Sequence, residues 1–300
     1  MAGADGRGVW AIAVASVLWG TTGTASRLMP AAVSPLAIGA ATMGLGGALL
    51  FLVTLPAALG VLRSAPARRW ALLGGLGVLG YPLAFYTGMA WAGVAIGNVV
   101  ALGTGPVFAA ILERMLEGTR LGRRWGLSTG IAVAGVAVIA FAGSADGAAA
   151  HPLAGIGCAL LAGLCYAFYT CCSARALRAS GSSAGAMGAM FGVGAVLLAP
   201  VLLALGGPIL ASGRGVAVAG YLAVGPTCLA YLLFGRALRS VRPATATTIA
   251  LLEPLVACLL AVTVVGERLA AIGWLGVALV LAGVILVATP RRAVAEQAAS

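Results

Sequence analysis

Long apolar stretches, separated by clusters of Arg, Pro and Gly, follow one another along the whole chain. A helix needs about 20 residues to cross roughly 30 Å of hydrocarbon, and each stretch is close to that length. The pattern predicts ten spanning helices, at residues 9–28, 34–59, 70–91, 94–112, 124–142, 152–173, 183–205, 216–236, 244–264 and 271–288. We therefore expect an all-α membrane protein whose surroundings are the lipid bilayer.

The last third of the chain repeats its middle third at a constant offset of 148 residues. Pro106 pairs with Pro254, Gly-Thr-Arg-Leu at 118–121 pairs with Gly-Glu-Arg-Leu at 266–269, and Ala-Gly-Val occurs at both 134–136 and 282–284. Matches at one offset indicate an internal repeat. Each copy holds five predicted spans, and an odd number of crossings gives the copies opposite orientations. The sequence thus predicts two inverted-topology five-helix repeats, residues 1–148 and 149–300.

The distribution of Arg between alternate connections predicts the orientation of the chain. There is no Lys, and fifteen of the 18 basic residues fall on one side of the predicted spans. The other side has only Arg27, Arg214 and Arg268. Since cytoplasmic connections carry the excess of positive charge, both termini are expected in the cytoplasm.

Composition supports a membrane protein and disfavours several other classes. Hydrophobic residues make up 62% of the chain and charged residues 8%, against roughly 25% charged in an ordinary soluble domain. The net charge of +11 would suggest nucleic acid as a partner of a soluble protein, but Arg on one side of a membrane suits lipid headgroups, so we expect no nucleic-acid partner. The six Cys form no Cys-x-x-Cys pair, so neither disulfides nor a metal site is predicted.

The sequence also lacks the motifs of common enzymes and ATP-driven pumps. Its single His, His151, lies at the end of a predicted span, so no His-Glu-x-x-His motif and no Ser/His/Asp set can be read from the chain. The phosphate-binding loop of ATPases is absent as well. We expect neither an enzyme nor a bound cofactor.

One carboxylate is predicted at mid-depth in the bilayer. Glu253 lies about ten residues into the ninth span. A charge at that depth costs roughly 2.5–3.5 kcal/mol on insertion scales, so Glu253 is expected to face protein or water. We interpret it either as a proton site or partner of a substrate ammonium, or as a hydrogen-bonded tie between helices.

Prolines inside the predicted spans are candidate hinges, namely Pro82, Pro106, Pro226 and Pro254. Pro254 cannot donate to the carbonyl of Ala250, and Pro106 likewise frees the carbonyl of Leu102. Free carbonyls at mid-depth need protein or a wet cavity beside them, which places the fourth and ninth spans at the centre of the bundle. A plain helix kink is the alternative.

Polar and aromatic side chains at mid-depth define a candidate solute site. Asn98 lies seven residues before Gly105, the repeat counterpart of Glu253, and so shares its helical face. We predict that Asn98 hydrogen-bonds a small-molecule substrate and that Glu253 holds charge or a proton. The cavity wall is predicted to consist of Trp19, Tyr81, Tyr86 and Tyr166, and Thr227 and Tyr231 are expected to add hydroxyl and aromatic surface. Packing within the bundle is the alternative for each Tyr, and an interhelical hydrogen bond is the alternative for Asn98.

The stretch from Leu252-Glu253-Pro254 through 266–269 to 282–284, with its weaker copy from Pro106 through 118–121, resembles the paired EamA repeats of the drug/metabolite transporter superfamily. The resemblance covers nearly the whole chain. It implies ten helices around a central cavity and the export of amino acids or other small metabolites across a bacterial inner (plasma) membrane. In overall character the chain is similar to exporters of neutral and aromatic amino acids. One departure is Thr119, where the family usually has Glu.

We therefore expect an exporter of small metabolites, amino acids first, that works by alternating access. The alternatives are a drug or quaternary-ammonium exporter of the same architecture, a channel, and a non-transporting membrane scaffold. Glycines four residues apart, such as Gly126 with Gly130 and Gly188 with Gly192, predict tight packing within one chain and hence a monomer. A dimer face is the alternative use of these glycines.

Overall fold

Ten long apolar helices make up the computed structural model, which describes residues 6–92, 94–118, 121–142, 151–265 and 271–289. They are α1 (Gly6–Ser26), α2 (Pro35–Val53), α3 (Ala65–Ala92), α4 (Val94–Glu117), α5 (Arg123–Ala142), α6 (Pro152–Ser180), α7 (Ser183–Leu205), α8 (Gly213–Ala237), α9 (Pro243–Val264) and α10 (Ala271–Ala288). Each is long and apolar enough to cross a membrane, and the described ranges contain no strand. The prediction of an all-α protein with ten spans is confirmed.

Two helix ends differ clearly from the predicted bounds. α2 ends at Val53 rather than at 59, and a separate short helix, Leu55–Arg63, follows it. The hydroxyl of Thr54 donates to the carbonyl of Leu50 at 2.7 Å, and Pro56 has no N–H with which to continue the hydrogen bonding of α2. α6 runs seven residues beyond its predicted end and stops at Gly181, whose left-handed conformation (φ 71°) lets its N–H donate to the Leu177 carbonyl.

Contacts between the helices follow a pseudo-two-fold pattern in which each helix of the first five corresponds to the one five places later. The counterparts α2 and α7, α4 and α9, and α5 and α10 pack on each other. The contact of α3 with α6 is matched by that of α8 with α1, and the contact of α4 with α6 by that of α9 with α1. The two sets of helices therefore interleave. The predicted boundary at residue 148 lies outside the described residues. So do residues 119–120 of the Gly-Thr-Arg-Leu motif and residues 266–269, the Gly-Glu-Arg-Leu motif.

Both Ala-Gly-Val copies of the repeat lie in the contact between α5 and α10, and the glycine of each copy faces the opposite helix. A Cβ at Gly135 would come within 2.7 Å of the Gly276 carbonyl oxygen, and a Cβ at Gly283 would come within 2.6 Å of the Ser128 carbonyl oxygen. Gly283 is the counterpart of Gly135, and Gly276 is the counterpart of Ser128, at the same offset of 148. The glycine is thus repeated because each copy lets one helix backbone touch the other.

Other glycines predicted to serve close packing divide into two groups. Gly188 and Gly192 of α7 allow close packing, since an added Cβ would meet Thr54 at the first position and the ring of Phe51 at the second. Gly126 and Gly130 do not, because nothing lies within 4 Å of a Cβ added at either position, and both residues are exposed. That part of the packing prediction is wrong, since spacing by four residues does not say which face of a helix meets a neighbour.

Gly135→Leu is expected to destabilise the protein, because the new side chain would meet the backbone of α10 rather than a side chain that can turn away. Overpacking of this kind costs about 1–3 kcal/mol or more. Gly130→Leu, on the open face of the same helix, is the matched control and should leave the unfolding midpoint in detergent unchanged or raised. Equal midpoints for the two variants would contradict the assigned contact.

Candidate functional site

A cavity lies among helices of both sets, lined by residues of α1, α2, α3, α4, α6, α8 and α9. A water-sized sphere can occupy about 60 Å³ of it, within about 580 Å³ of empty space that includes its open mouth. Its aromatic walls are Trp19, Tyr81, Phe85, Tyr86, Tyr166, Tyr169 and Tyr231. Its other polar groups are Glu253 and the hydroxyls of Thr22, Thr42 and Thr227, and its described lining includes no Arg, Lys or His.

Five of the six residues predicted to bind substrate thus line one cavity. Asn98 is the sixth, and the structure places it half-buried on α4 outside the cavity lining. Its hydrogen bond to a substrate stays a prediction that no contact in the described residues supports. Among the predicted hinges, Pro82 and Pro226 line the cavity, whereas Pro106 and Pro254 are buried and do not belong to its lining.

Glu253 reaches the cavity from a break in α9. The helix runs over Pro243–Ile249, turns at Ala250 and Leu251, and resumes at Leu252–Leu260. The sequence predicts a free Ala250 carbonyl, because Pro254 cannot donate to it. In the structure this carbonyl is not free: the N–H of Glu253 donates to it at 2.9 Å and closes a tighter turn. Glu253 consequently lies in the first turn of a half-helix, where the helix dipole favours a negative charge.

The counterpart of this break in α4 is a continuous helix. α4 passes through Pro106 without interruption. Pro106 has no N–H to pair with the carbonyl of Leu102, and Leu102 lines the cavity. Gly105 occupies the position that corresponds to Glu253, and a Cβ there would lie 2.9 Å from the Cδ1 atom of Tyr166. One repeat therefore supplies a carboxylate at this position, and the other supplies room for a tyrosine ring.

Pro226 lies in a π-helical segment of α8, Ala223–Leu229. The indole N–H of Trp19 donates to the carbonyl of Pro226 at 2.8 Å. The hydroxyl of Thr227 donates to the carbonyl of Thr42 in α2 at 3.0 Å. Single π-helical turns inside spanning helices are frequent at functional sites. Here two side-chain hydrogen bonds connect the irregular segment to α1 and α2. Trp19 therefore positions α8 and also lines the cavity.

The aromatic walls form one connected network that sequence reasoning found only in part. Tyr169 and Tyr231 share a hydrogen bond between their hydroxyls at 2.7 Å, and the Tyr231 ring lies 5.1 Å from that of Trp19. The Tyr81 ring stacks on that of Phe85 at 5.4 Å. Tyr169 and Phe85 were not predicted, yet each lies one helical turn after a predicted residue, Tyr166 or Tyr81. That spacing was the signal that could have found them.

Acidic residues near the end of α4 connect the two helix sets away from the cavity. The carboxylate of Glu113, 2% exposed, accepts hydrogen bonds from the guanidinium of Arg242 at 2.7 and 3.1 Å and from the Ala244 N–H at 2.6 Å. Glu117 pairs with Arg178, and Arg175 lies 3.9 Å from the same carboxylate. These contacts hold α4 to the start of α9 and to the end of α6.

Ten spanning helices around a cavity that both helix sets line define a multi-pass membrane transporter. The model of the EamA-like transporter family matches residues 6–141 and again residues 153–289. The chain therefore belongs to the EamA-like transporter family, and the resemblance drawn from the repeat motifs is confirmed.

Known proteins of similar sequence are also transporters by name. The chain is 33% identical over 293 residues to "Uncharacterized transporter YwfM" of Bacillus subtilis (strain 168), covering 96% of each chain. It is 30% identical over 190 residues to "Uncharacterized inner membrane transporter YedA" of Escherichia coli (strain K12), covering 63% of this chain and 60% of that one. A solved crystal structure shares the fold, with a TM-score of 0.77 and 22% identity over 93% of this chain and 95% of that one.

Trp19→Phe is expected to loosen the π-helical segment, because phenylalanine keeps a ring but cannot donate to the Pro226 carbonyl. Loss of one such bond is worth about 1 kcal/mol, or a roughly fivefold rise in local opening. Hydrogen exchange of the amides in Ala223–Leu229 measures this opening. Trp10→Phe, at a position 73% exposed, is the control, and a similar rise in both variants would refute the role of the Trp19 bond.

Glu113→Gln is expected to destabilise the bundle by about 2–3 kcal/mol, because it leaves Arg242 without its charge partner. This free energy is smaller than for a fully buried pair, since Arg242 is 38% exposed. Glu117→Gln is the control, since that carboxylate is 22% exposed and such pairs contribute about 0–1 kcal/mol. Thermal unfolding in detergent compares the two variants. A midpoint no lower for Glu113→Gln than for Glu117→Gln would contradict the assignment.

Proposed function

We propose that this transporter exports small metabolites by alternating access and that its solute site is the cavity at Glu253. Neutral and aromatic amino acids are the first class of solute in this proposal. The single observation that carries it is the break in α9, which presents one carboxylate to a pocket with aromatic walls. A half-helix terminus of this kind is a common solute site in secondary transporters.

The contribution of both helix sets to the cavity supports alternating access. A solute bound there would touch α1 to α4 of the first set and α6, α8 and α9 of the second, so a rearrangement of the helices around it would change its access. The irregular segments of α8 and α9, with Pro226 and Glu253, adjoin the cavity and offer places for such movement.

The composition of the walls supports solutes that carry an amine and an apolar body. A carboxylate beside aromatic faces stabilises an ammonium group by charge and by cation–π attraction. The flat rings of Tyr81, Phe85 and Tyr86 give apolar surface for a side chain. A neutral or aromatic amino acid has both parts.

Drugs or quaternary-ammonium compounds are the second candidate class, favoured by the lack of a basic side chain in the described cavity lining. Competition between amino acids and lipophilic cations for uptake into vesicles separates the two classes. A channel, the third alternative, would give flux that does not saturate with concentration. The proposal also includes a bacterial inner membrane with both termini in the cytoplasm, which the one-sided distribution of Arg supports.

Comparison of all metabolites released by cells with and without the protein identifies the solute without assuming its class. We expect amino acids or related amines to accumulate outside the cells that express it. A metabolite profile that does not change would contradict export.

Glu253→Gln is expected to lower the flux of the identified solute in proteoliposomes about tenfold or more, because a bond to a charged group is replaced by a neutral contact. The variant is isosteric, so its thermal midpoint should stay close to that of the wild type. Glu117→Gln, which removes a carboxylate outside the cavity, is the control. Unchanged flux with an unchanged pH dependence would remove Glu253 from the mechanism.

A further inference from the structure

The hydroxyl of Tyr166 is a buried polar group without a partner. Tyr166 is 5% exposed and lines the cavity, and its Oη atom has no hydrogen-bond partner among the described residues. The two nearby buried tyrosines differ in this respect, since Tyr169 and Tyr231 bond to each other. A buried hydroxyl that forms no bond costs free energy, and such groups are rare unless they serve a ligand or bound water.

The ring that carries this hydroxyl is held in place. It packs against Gly105, where even a Cβ would lie 2.9 Å from it. The rings of Tyr169 and Tyr81 lie 5.5 and 5.9 Å away, centroid to centroid. The hydroxyl therefore has a fixed position, and a hydrogen bond to it needs little further ordering of the protein.

The cavity thus offers two polar groups of complementary kinds. The carboxyl group of Glu253 can accept a hydrogen bond, and the Tyr166 hydroxyl is a donor that the described residues leave unused. The indole N–H of Trp19 is already taken by Pro226, and the Thr227 hydroxyl by Thr42. Tyr166 is consequently a donor that makes no bond within the described part of the protein. Its Oη atom is itself buried, so a solute reaches it when the cavity opens further.

We infer that Tyr166 determines specificity by donating to an acceptor oxygen of a solute whose ammonium group binds Glu253. This inference rests on the proposed function, because it takes the same cavity as the solute site. It narrows the solute class to amines that also carry a carboxylate or carbonyl oxygen. An amine without such an oxygen leaves the hydroxyl unpaired, and sites built around a hydrogen bond discriminate against solutes that cannot form it.

Three probes built on one scaffold test the inference. L-Phenylalanine carries an ammonium and a carboxylate, L-phenylalaninamide an ammonium and a neutral carbonyl, and phenethylamine an ammonium alone. Affinities are measured by calorimetry on the purified full-length protein. The wild type should bind at least one of the first two about tenfold more tightly than phenethylamine. Which of them binds shows whether the acceptor oxygen is charged or neutral.

Tyr166→Phe should remove that preference and leave the affinity for phenethylamine unchanged. Its thermal midpoint should not fall, because the deleted hydroxyl has no partner to lose. Tyr221→Phe is the matched control, since Tyr221 is 43% exposed, lies outside the cavity and bonds to Thr21; it should keep the full preference.

A preference that persists in Tyr166→Phe would overturn the inference, as would equal affinity of the wild type for all three probes or no binding of any. These outcomes leave the proposed function standing. That function fails instead if metabolite release does not change or if Glu253→Gln transports normally.

Discussion

Backbone that departs from helical hydrogen bonding cannot face hydrocarbon, since no water is present there to pair with it. Within the described residues, α8 departs from the regular pattern at Ala223–Leu229 and α9 at Ala250–Leu251, both beside the cavity. α9 departs from it again in a π-helical segment at its end, Ala261–Val265. The architecture around them follows from this constraint. Trp19 of α1 and the carbonyl of Thr42 in α2 provide hydrogen-bond partners to the irregular part of α8, and Glu253 closes the turn in α9 with its own N–H.

The repeat supplies the scaffold, and departures from the repeat supply polar groups of the cavity. Where the copies agree, as at Gly135 and Gly283, the residues let counterpart helices touch. Where they differ, one copy carries a polar group that lines the cavity: Glu253 corresponds to Gly105, and Tyr166 corresponds to Leu18. The pair of Glu113 and Arg242 has Ala261 and Val94 as its counterparts, which cannot form an ion pair. A symmetric scaffold therefore holds an asymmetric site and is tied ionically at one of two related places.

Much of this architecture can be predicted from sequence because hydropathy and the offset of 148 both act over long segments. The ten spans and the place of Glu253 near the middle of the ninth follow from counting residues, as does the grouping of Trp19 with three tyrosines. Features set by helix rotation or by single hydrogen bonds do not follow. Asn98 shares a predicted face with Gly105 but lies outside the cavity lining, and neither the π-helical turn nor the bond from Trp19 to Pro226 has a signal in the sequence.

The hydrogen bonds of α9 also indicate where this helix can bend. Its first half, Pro243–Ile249, is held to α4 by the buried Glu113 and to α5 by a 3.0 Å bond between the hydroxyls of Thr129 and Thr248. Its second half, Leu252–Leu260, packs on α1. Separating Glu113 from its partners would leave a buried charge unpaired, at a cost of several kcal/mol. The first half is therefore tied to α4 and α5, and the turn at Ala250 and Leu251 is where a relative motion of the two halves would be absorbed. A bend at this turn, which lies just before Glu253 and the predicted hinge Pro254, would couple a rearrangement of the helices directly to Glu253.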